Sequence, residues 1–205
     1  MSQSAPVLII ACGALAHEIT QLRKANNWTH VDVQCLRADF HNTPDKITPG
    51  VQEQIEKARG KYQKIFVAYA DCGTGGHLDA LLEKEGVERL PGAHCYEFFA
   101  GSRVFEELME AELGTFYLTD YLAQHFERII LKGFGIDKHP ELESMMFGNY
   151  CKLVYLSQTE NAGLLEKAQQ AAQRLGLEFE HRVTGYGELE TGLKAFVSEN
   201  QIWQN

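Results

Sequence analysis

The run Lys64-Ile-Phe-Val-Ala-Tyr-Ala70, followed at once by Asp71-Cys-Gly-Thr-Gly-Gly76, limits this chain more than any other stretch. It is too short for a helix and too uniformly apolar for a half-exposed strand. It therefore reads as a central parallel strand covered on both faces. Glycines at 73, 75 and 76 accept positive φ, and a helix then starts at His77 with its free N–H groups facing the turn. Such a corner forms a nest suited to an anion, which makes Gly73, Gly75 and Gly76 candidate cofactor-binding residues. Cys72 stands at the lip of this nest, where a helix N-terminus favours the thiolate. Two nucleotide-binding patterns fail here. A dinucleotide fingerprint requires glycine at position 78, which is Leu78, and the chain has no Gly-Lys-Ser/Thr of a phosphate-binding loop.

The same strand–turn–helix unit recurs along the chain. Pro6–Ala11 reads as a first strand, Cys12-Gly13 as its turn, and Leu15–Asn26 as a helix with Leu15, Ile19 and Leu22 on one face. Val31–Leu36 is a second strand. Thr43 and Pro44 give a helix start by N-cap and N1 preference, leading into a helix within Thr48–Gly60. Gly86–Pro91 reads as a short strand, Phe98–Glu112 as a helix, Gly114–Leu118 as a strand, and Thr119-Asp120 as the cap of a helix over Tyr121–Leu131. Residues 132–149 are broken by glycine and Pro140 and read as a lid or a connector, with a helix near Glu141–Phe147. Strands Lys152–Leu156 and Glu178–Val183 alternate with helices Glu160–Leu175 and Tyr186–Asn200. The expected fold is one α/β domain over 1–205, a mostly parallel sheet with helices on both faces in a Rossmann-like three-layer arrangement. Its site lies at the carboxyl ends of the strands.

A formal net charge of −9 over 205 residues argues against nucleic-acid and anionic-membrane partners. No apolar run approaches the roughly 20 residues needed to cross a bilayer, and the apolar opening has no basic residues before it. The expected location is the cytoplasm. Five cysteines, an odd number, point to reduced thiols rather than a disulfide framework. Cys12, Cys72 and Cys95 each follow a strand, whereas Cys35 and Cys151 lie inside or before one and read as structural. A trio of thiols at strand ends suits zinc, if His94, His77 or His41 adds a nitrogen, or an iron–sulfur cluster held by three cysteines with one iron open. Ordinary buried thiols are the alternative. Arg103 is a cation that an anionic substrate could use, or a solvated side chain.

Five dispersed motifs carry a resemblance: Ala11-Cys-Gly-Ala-Leu-Ala-His-Glu-Ile19, His41-Asn-Thr-Pro44, Tyr69-Ala-Asp-Cys-Gly-Thr-Gly75, Pro91-Gly-Ala-His-Cys95 and Gly114-Thr-Phe-Tyr-Leu-Thr119. In this order they resemble domain-of-unknown-function family 1638, over about residues 7–190. The resemblance implies a prokaryotic cytosolic protein associated with methylamine and corrinoid methyl-transfer metabolism. It also supports Cys12, Glu18, His41, Asn42, Cys72, Gly73, Gly75, His94 and Cys95 as site positions.

The leading expectation is a metal-dependent enzyme acting on a small methylated or amine-containing metabolite. Cys12, Cys72, His94 and Cys95 bind zinc, slightly favoured, or an iron–sulfur cluster. Glu18, His41 and Asp71 serve catalysis, and Asn42 and Arg103 contact substrate. Two other classes stand beside it. One is a metal-free cysteine enzyme with Cys72 as nucleophile and His77 or His94 as base. The other is a non-catalytic accessory protein that binds a corrinoid or similar cofactor and partners corrinoid methyltransferases.

Overall fold

The computed structural model describes residues 6–199, and the helix end read at Asn200 lies outside them. In chain order the elements begin β1 (Val7–Cys12), α1 (Ala16–Ala25), β2 (Val31–Leu36), α2 (Ile47–Ala58), β3 (Lys64–Ala68), α3 (His77–Glu85) and β4 (Glu88–Arg89). They continue α4 (Cys95–Ala100), α5 (Ser102–Ala111), β5 (Thr115–Leu118), α6 (Asp120–Gln124), α7 (Leu142–Phe147), β6 (Lys152–Ser157), α8 (Ala162–Leu175), β7 (Glu178–Val183) and α9 (Gly187–Glu199). The α/β expectation holds, with every strand pairing parallel.

The strands form two sheets rather than one, ordered β2-β1-β3-β4 and β5-β6-β7. The chain divides accordingly into two compact units, where the sequence reading takes it as one domain. One unit runs to Cys95 and resumes at Glu188, and the other is Tyr96–Gly187. β4, whose two residues pair with Phe66 and Val67 of β3, is an edge of the first sheet.

In the first unit, β1 lies between β2 and β3, with Ile10 opposite both Gln34 and Val67. Period-two alternation divides its apolar residues between two faces. Leu8 and Ile10 of β1 and Val67 of β3 join Ile47, Val51 and Ile55 of α2 and Leu78 and Leu82 of α3 in one cluster. On the opposite face Phe66 packs against Phe196 of α9, with ring centroids 4.5 Å apart. The chain leaves β1 toward β2 and leaves β3 toward β4. With right-handed crossovers, the step from β1 to β2 runs opposite to those from β2 to β3 and from β3 to β4, so α1 lies on the face opposite α2 and α3 and a topological switch point falls at the carboxyl ends of β1 and β3.

In the second unit, Leu153 and Tyr155 of β6 face Leu122 of α6 and Ala168, Ala171 and Ala172 of α8, while Val154 and Leu156 face Phe105 and Leu108 of α5. The single helix expected over Phe98–Glu112 is split at Gly101, whose φ of 81° leaves the helical region. That expected over Tyr121–Leu131 becomes α6 followed by a π-helical turn, Glu127–Leu131, in which the Lys132 amide reaches the Glu127 carbonyl at 2.9 Å. The wider turn buries Ile129, Ile130 and Leu131 in succession. Within 132–149, Ile136 and Phe147 are buried in the core of this unit. Among the described residues no helix is long and apolar enough to cross a membrane.

Asp120, past the end of β5, organises the second unit's polar centre. Its buried carboxylate accepts from the Tyr155 hydroxyl at 2.6 Å, the Gln158 amide at 3.1 Å and the Thr159 hydroxyl at 2.5 Å. Asp120→Ala leaves a hydroxyl and an amide buried without their acceptor. The expected loss is about 2–4 kcal/mol in denaturant unfolding, against about 1 kcal/mol for Tyr155→Phe, which removes one donor.

Candidate functional site at the strand ends of the first unit

At the end of β1 the Cys12 sulfur accepts from the Ala14 amide at 3.5 Å and caps a short 3-10 turn, Gly13–Leu15. Gly13 is required here by close approach, because a Cβ would lie 2.7 Å from the Leu36 carbonyl oxygen. The turn thus presses onto the end of β2 and leads into α1, whose first turn carries Glu18, 3% exposed. The chain after β2 makes further 3-10 turns at Ala38–Asn42 and Pro44–Lys46 before α2. Thr43 makes no side-chain cap bond there, contrary to the N-cap reading. Pro44 comes down on the glycine turn, with its Cγ 3.2 Å from where a Cβ on Gly73 would stand.

The turn after β3 is built around its own acid. The Asp71 carboxylate accepts from the Thr74 hydroxyl at 2.6 Å and from the amides of Gly76 at 3.0 Å, Gly73 at 3.1 Å and Gly75 at 3.3 Å. These bonds, the Thr74 hydroxyl foremost, hold its pKa below the ordinary aspartate value. Two sequence expectations change as a result. The nest of Gly73, Gly75 and Gly76 encloses an internal carboxylate instead of standing open to a ligand's anion, and Asp71 is a loop-forming residue instead of a free base. Cys72, between acid and glycines, takes a φ of 50°, a left-handed conformation that is uncommon outside glycine.

Backbone bonds carry the turn to the next strand end. The Asp71 and Cys72 amides donate to the carbonyls of Gly92 at 3.1 Å and Ala93 at 2.9 Å. Arg89 fixes that segment from below, forked onto Asp79 at 2.5 and 2.9 Å and donating to the Leu90 carbonyl at 2.6 Å. Cys95 is thereby brought beside Cys72.

The three thiols expected to converge do interact. Burial first, and then the neighbouring Cys12, push the Cys72 pKa up to about 12. Burial, then Cys72, Cys12 and more weakly Glu18, raise that of Cys95 well above the ordinary thiol value. Cys12 is raised by burial, with the Ala14 amide and the Tyr69 hydroxyl opposing and Cys35 adding a little. Half-buried beside one another, with each pKa raised above the ordinary value, they are thiols rather than thiolates at neutral pH. The field of Arg89 reaches Cys72, although its guanidinium is already engaged by Asp79.

Of the histidines, His41 and His94 are exposed and lie within each other's field, and the His41 pKa is lowered by partial burial and then by His94. Asn42 ends the first 3-10 turn after β2, half-buried. His77 is exposed at the start of α3. Arg103 belongs to the second unit, where its side chain is 86% exposed beside Glu107. Cys151 also belongs to that unit and is exposed.

Among the described residues no three His, Cys, Asp or Glu side chains form a ligand set for a single metal ion. The donors Cys12, Cys72, His94 and Cys95 are therefore not assembled into the tetrahedral shell that zinc takes.

Tyr69 is the site residue that sequence reading passed over. It is 2% exposed, and its hydroxyl makes no well-formed hydrogen bond. The group acting on it most directly is the Cys12 thiol. A buried hydroxyl in that state costs about 1–3 kcal/mol relative to a satisfied one. The signal was the polar tip at the end of an otherwise apolar strand.

A family model described as Protein of unknown function (DUF1638) matches residues 35–193, a span that includes Cys72 and Cys95 and begins after Cys12. No curated protein matches the chain.

Asp71→Asn tests the internal carboxylate. Because the folded pKa is depressed, its stabilisation is present above the unfolded value near 3.8 and is lost as pH falls through the lower folded value. Unfolding midpoints are expected to be lower in Asp71→Asn at pH 7, with the gap to wild type closing below pH 3.8. A constant gap at all pH values contradicts the assignment.

Proposed function

The chain belongs to the DUF1638 family, a family of unknown function, and from that premise we propose that it is an enzyme whose Cys12, Cys72 and Cys95 thiols hold a metal centre in the crevice beyond β1 and β3. The observation that carries this reading is the gathering of three half-buried thiols beyond β1, β3 and β4, with Cys12 raising the pKa of Cys72 and both raising that of Cys95. Burying three such groups together favours their neutral form, and a bound metal is what turns thiols of this kind into thiolates.

An iron–sulfide cluster suits the trio better than a single zinc. A cluster interposes its own atoms between the cysteine sulfurs, so its ligands stand farther apart than those of one ion. Bound there through three cysteines, it would supply one open iron as a Lewis acid. The chain's own residues frame that position. Glu18 is a buried carboxylate whose field reaches Cys95, suited to taking or giving a proton. His41, with its lowered pKa, is a neutral imidazole at pH 7 and an acceptor at the exposed rim. Asn42 beside it offers an amide to a substrate. With the glycine amides turned onto Asp71, substrate recognition falls to these side chains.

A small methylated or amine-containing metabolite as substrate, corrinoid methyltransferases as partners and a cytoplasmic location rest on the family resemblance and the unpaired thiols. The left-handed backbone of Cys72 favours a second reading, a metal-free cysteine enzyme. A thiol pKa of about 12 weighs against it, since about one molecule in 10⁵ would carry the thiolate at pH 7.

Iron and acid-labile sulfide per chain, measured after anaerobic purification and reconstitution, test the proposal. Both are expected in wild type, Cys35→Ala and Cys151→Ala, with at least a tenfold drop in Cys12→Ala, Cys72→Ala and Cys95→Ala. Zinc without sulfide would replace the cluster by a single ion. A wild-type chain that takes up neither metal overturns the reading, and selective alkylation of Cys72 would then favour the metal-free enzyme.

A further inference from the structure

We infer that the outer edge of β7 is a docking surface for β7 of a second copy of this chain, joined antiparallel about His181 so that two three-stranded sheets become one. β7 ends its sheet and pairs with β6 over all 6 of its residues without a bulge. It contains no proline, and His181, Arg182 and Val183 are exposed. Of the devices that blunt a sheet edge, only charge is present there.

The hydrogen-bonding phase decides which residues meet. The amides of Glu178 and Thr184 donate inward, to the Cys151 and Ser157 carbonyls at 2.9 Å each. By period-two alternation residues 178, 180, 182 and 184 bond to β6, and Phe179, His181 and Val183 turn their amides and carbonyls outward. An antiparallel partner has to set outward residues opposite outward residues. Centred on His181, the pairing puts Phe179 opposite Val183, which covers a side chain 63% exposed in the single copy. It also puts Glu180 opposite Arg182 on both sides of the two-fold axis, at the non-hydrogen-bonded positions where side chains come closest. Moving the centre by one residue sets Glu180 or Arg182 opposite itself. Charge therefore selects a single register.

Within one copy Glu180 accepts from Arg182 at 2.6 Å and from Lys152 at 3.2 Å, and the Arg182 side chain is 43% exposed. Exposed ion pairs are weak and exchange partners at little cost, so docking merges these bonds into a network shared by both copies. β2, at the edge of the first sheet, carries Asp32 as its single charged residue and has no such self-complementarity.

Sedimentation equilibrium on the full chain, kept reduced and without added metal, tests the inference. Wild type is expected to reach twice the chain mass of 23.1 kDa at concentrations below about 100 μM. E180R and R182E each set like charges opposite one another and are expected to weaken the dimer about tenfold or more. Mixed in equal amounts, the two variants set arginines opposite glutamates at every such position and are expected to regain the wild-type affinity. That recovery also shows that both variants are folded. A monomeric wild type, a dimer that neither reversal weakens, or a mixture no tighter than either variant alone overturns the inference. None of these outcomes depends on whether the thiols bind metal.

Discussion

The carboxylate of Asp71, bound to the hydroxyl of Thr74 and to the amides of Gly73, Gly75 and Gly76, is the interaction on which the first unit's site depends. Four donors converge on one acid within a six-residue stretch, so the turn is closed by its own charge. That closure holds Cys72 in a left-handed conformation that it would not adopt freely and leaves the Asp71 and Cys72 amides facing Gly92 and Ala93. Through that pair of backbone bonds the turn after β3 governs where the turn after β4 lies, and with it Cys95. The same glycines that resemble a ligand nest in the sequence are spent on architecture.

The second unit uses the same device at a different scale. Asp120 stands just past β5 and gathers the Tyr155 hydroxyl, the Gln158 amide and the Thr159 hydroxyl, fastening the end of β6 and the chain after it to the start of α6. Gln158 answers by accepting from the Asp120 amide at 2.8 Å. Parallel strands leave their carboxyl-end loops without sheet partners, and a carboxylate with several acceptor positions is an economical way to satisfy the exposed amides there. One acid ties a loop to itself, and the other ties two loops together.

Electrostatics then separates the loop-forming acid from the thiols. Asp71 is stabilised in its charged form by donors at short range, whereas at Cys12, Cys72 and Cys95 the loss of solvation outweighs the few donors that reach them, so their charged forms are disfavoured. Placed within one crevice, these opposite shifts divide the labour between a permanently charged structural group and a set of neutral groups that respond to whatever cation or metal enters.

Much of the frame was legible in the chain. β2 and β7 were read with their observed bounds, Thr119 does cap α6 by accepting from Leu122, and Leu15, Ile19 and Leu22 are buried as their spacing implied. Local pattern suffices there because strand alternation and helix periodicity are properties of neighbouring residues. The break at Gly101 and the π-helical turn at Glu127–Leu131 escaped notice, since a helical pattern does not reveal where its hydrogen bonds shift by one residue. Sequence alone determined that the chemistry-bearing residues follow strands, because an apolar run that stops at Cys12 or at Asp71-Cys72 can stop only at a strand end. Tertiary structure alone decided which of them meet. The placing of β1 beside β3 packs Cys12 against the cluster that holds Tyr69, and the folding of Asp71 onto its own glycines closes the nest, each through a contact between residues too far apart in the chain, or too specific in geometry, for any local pattern to encode.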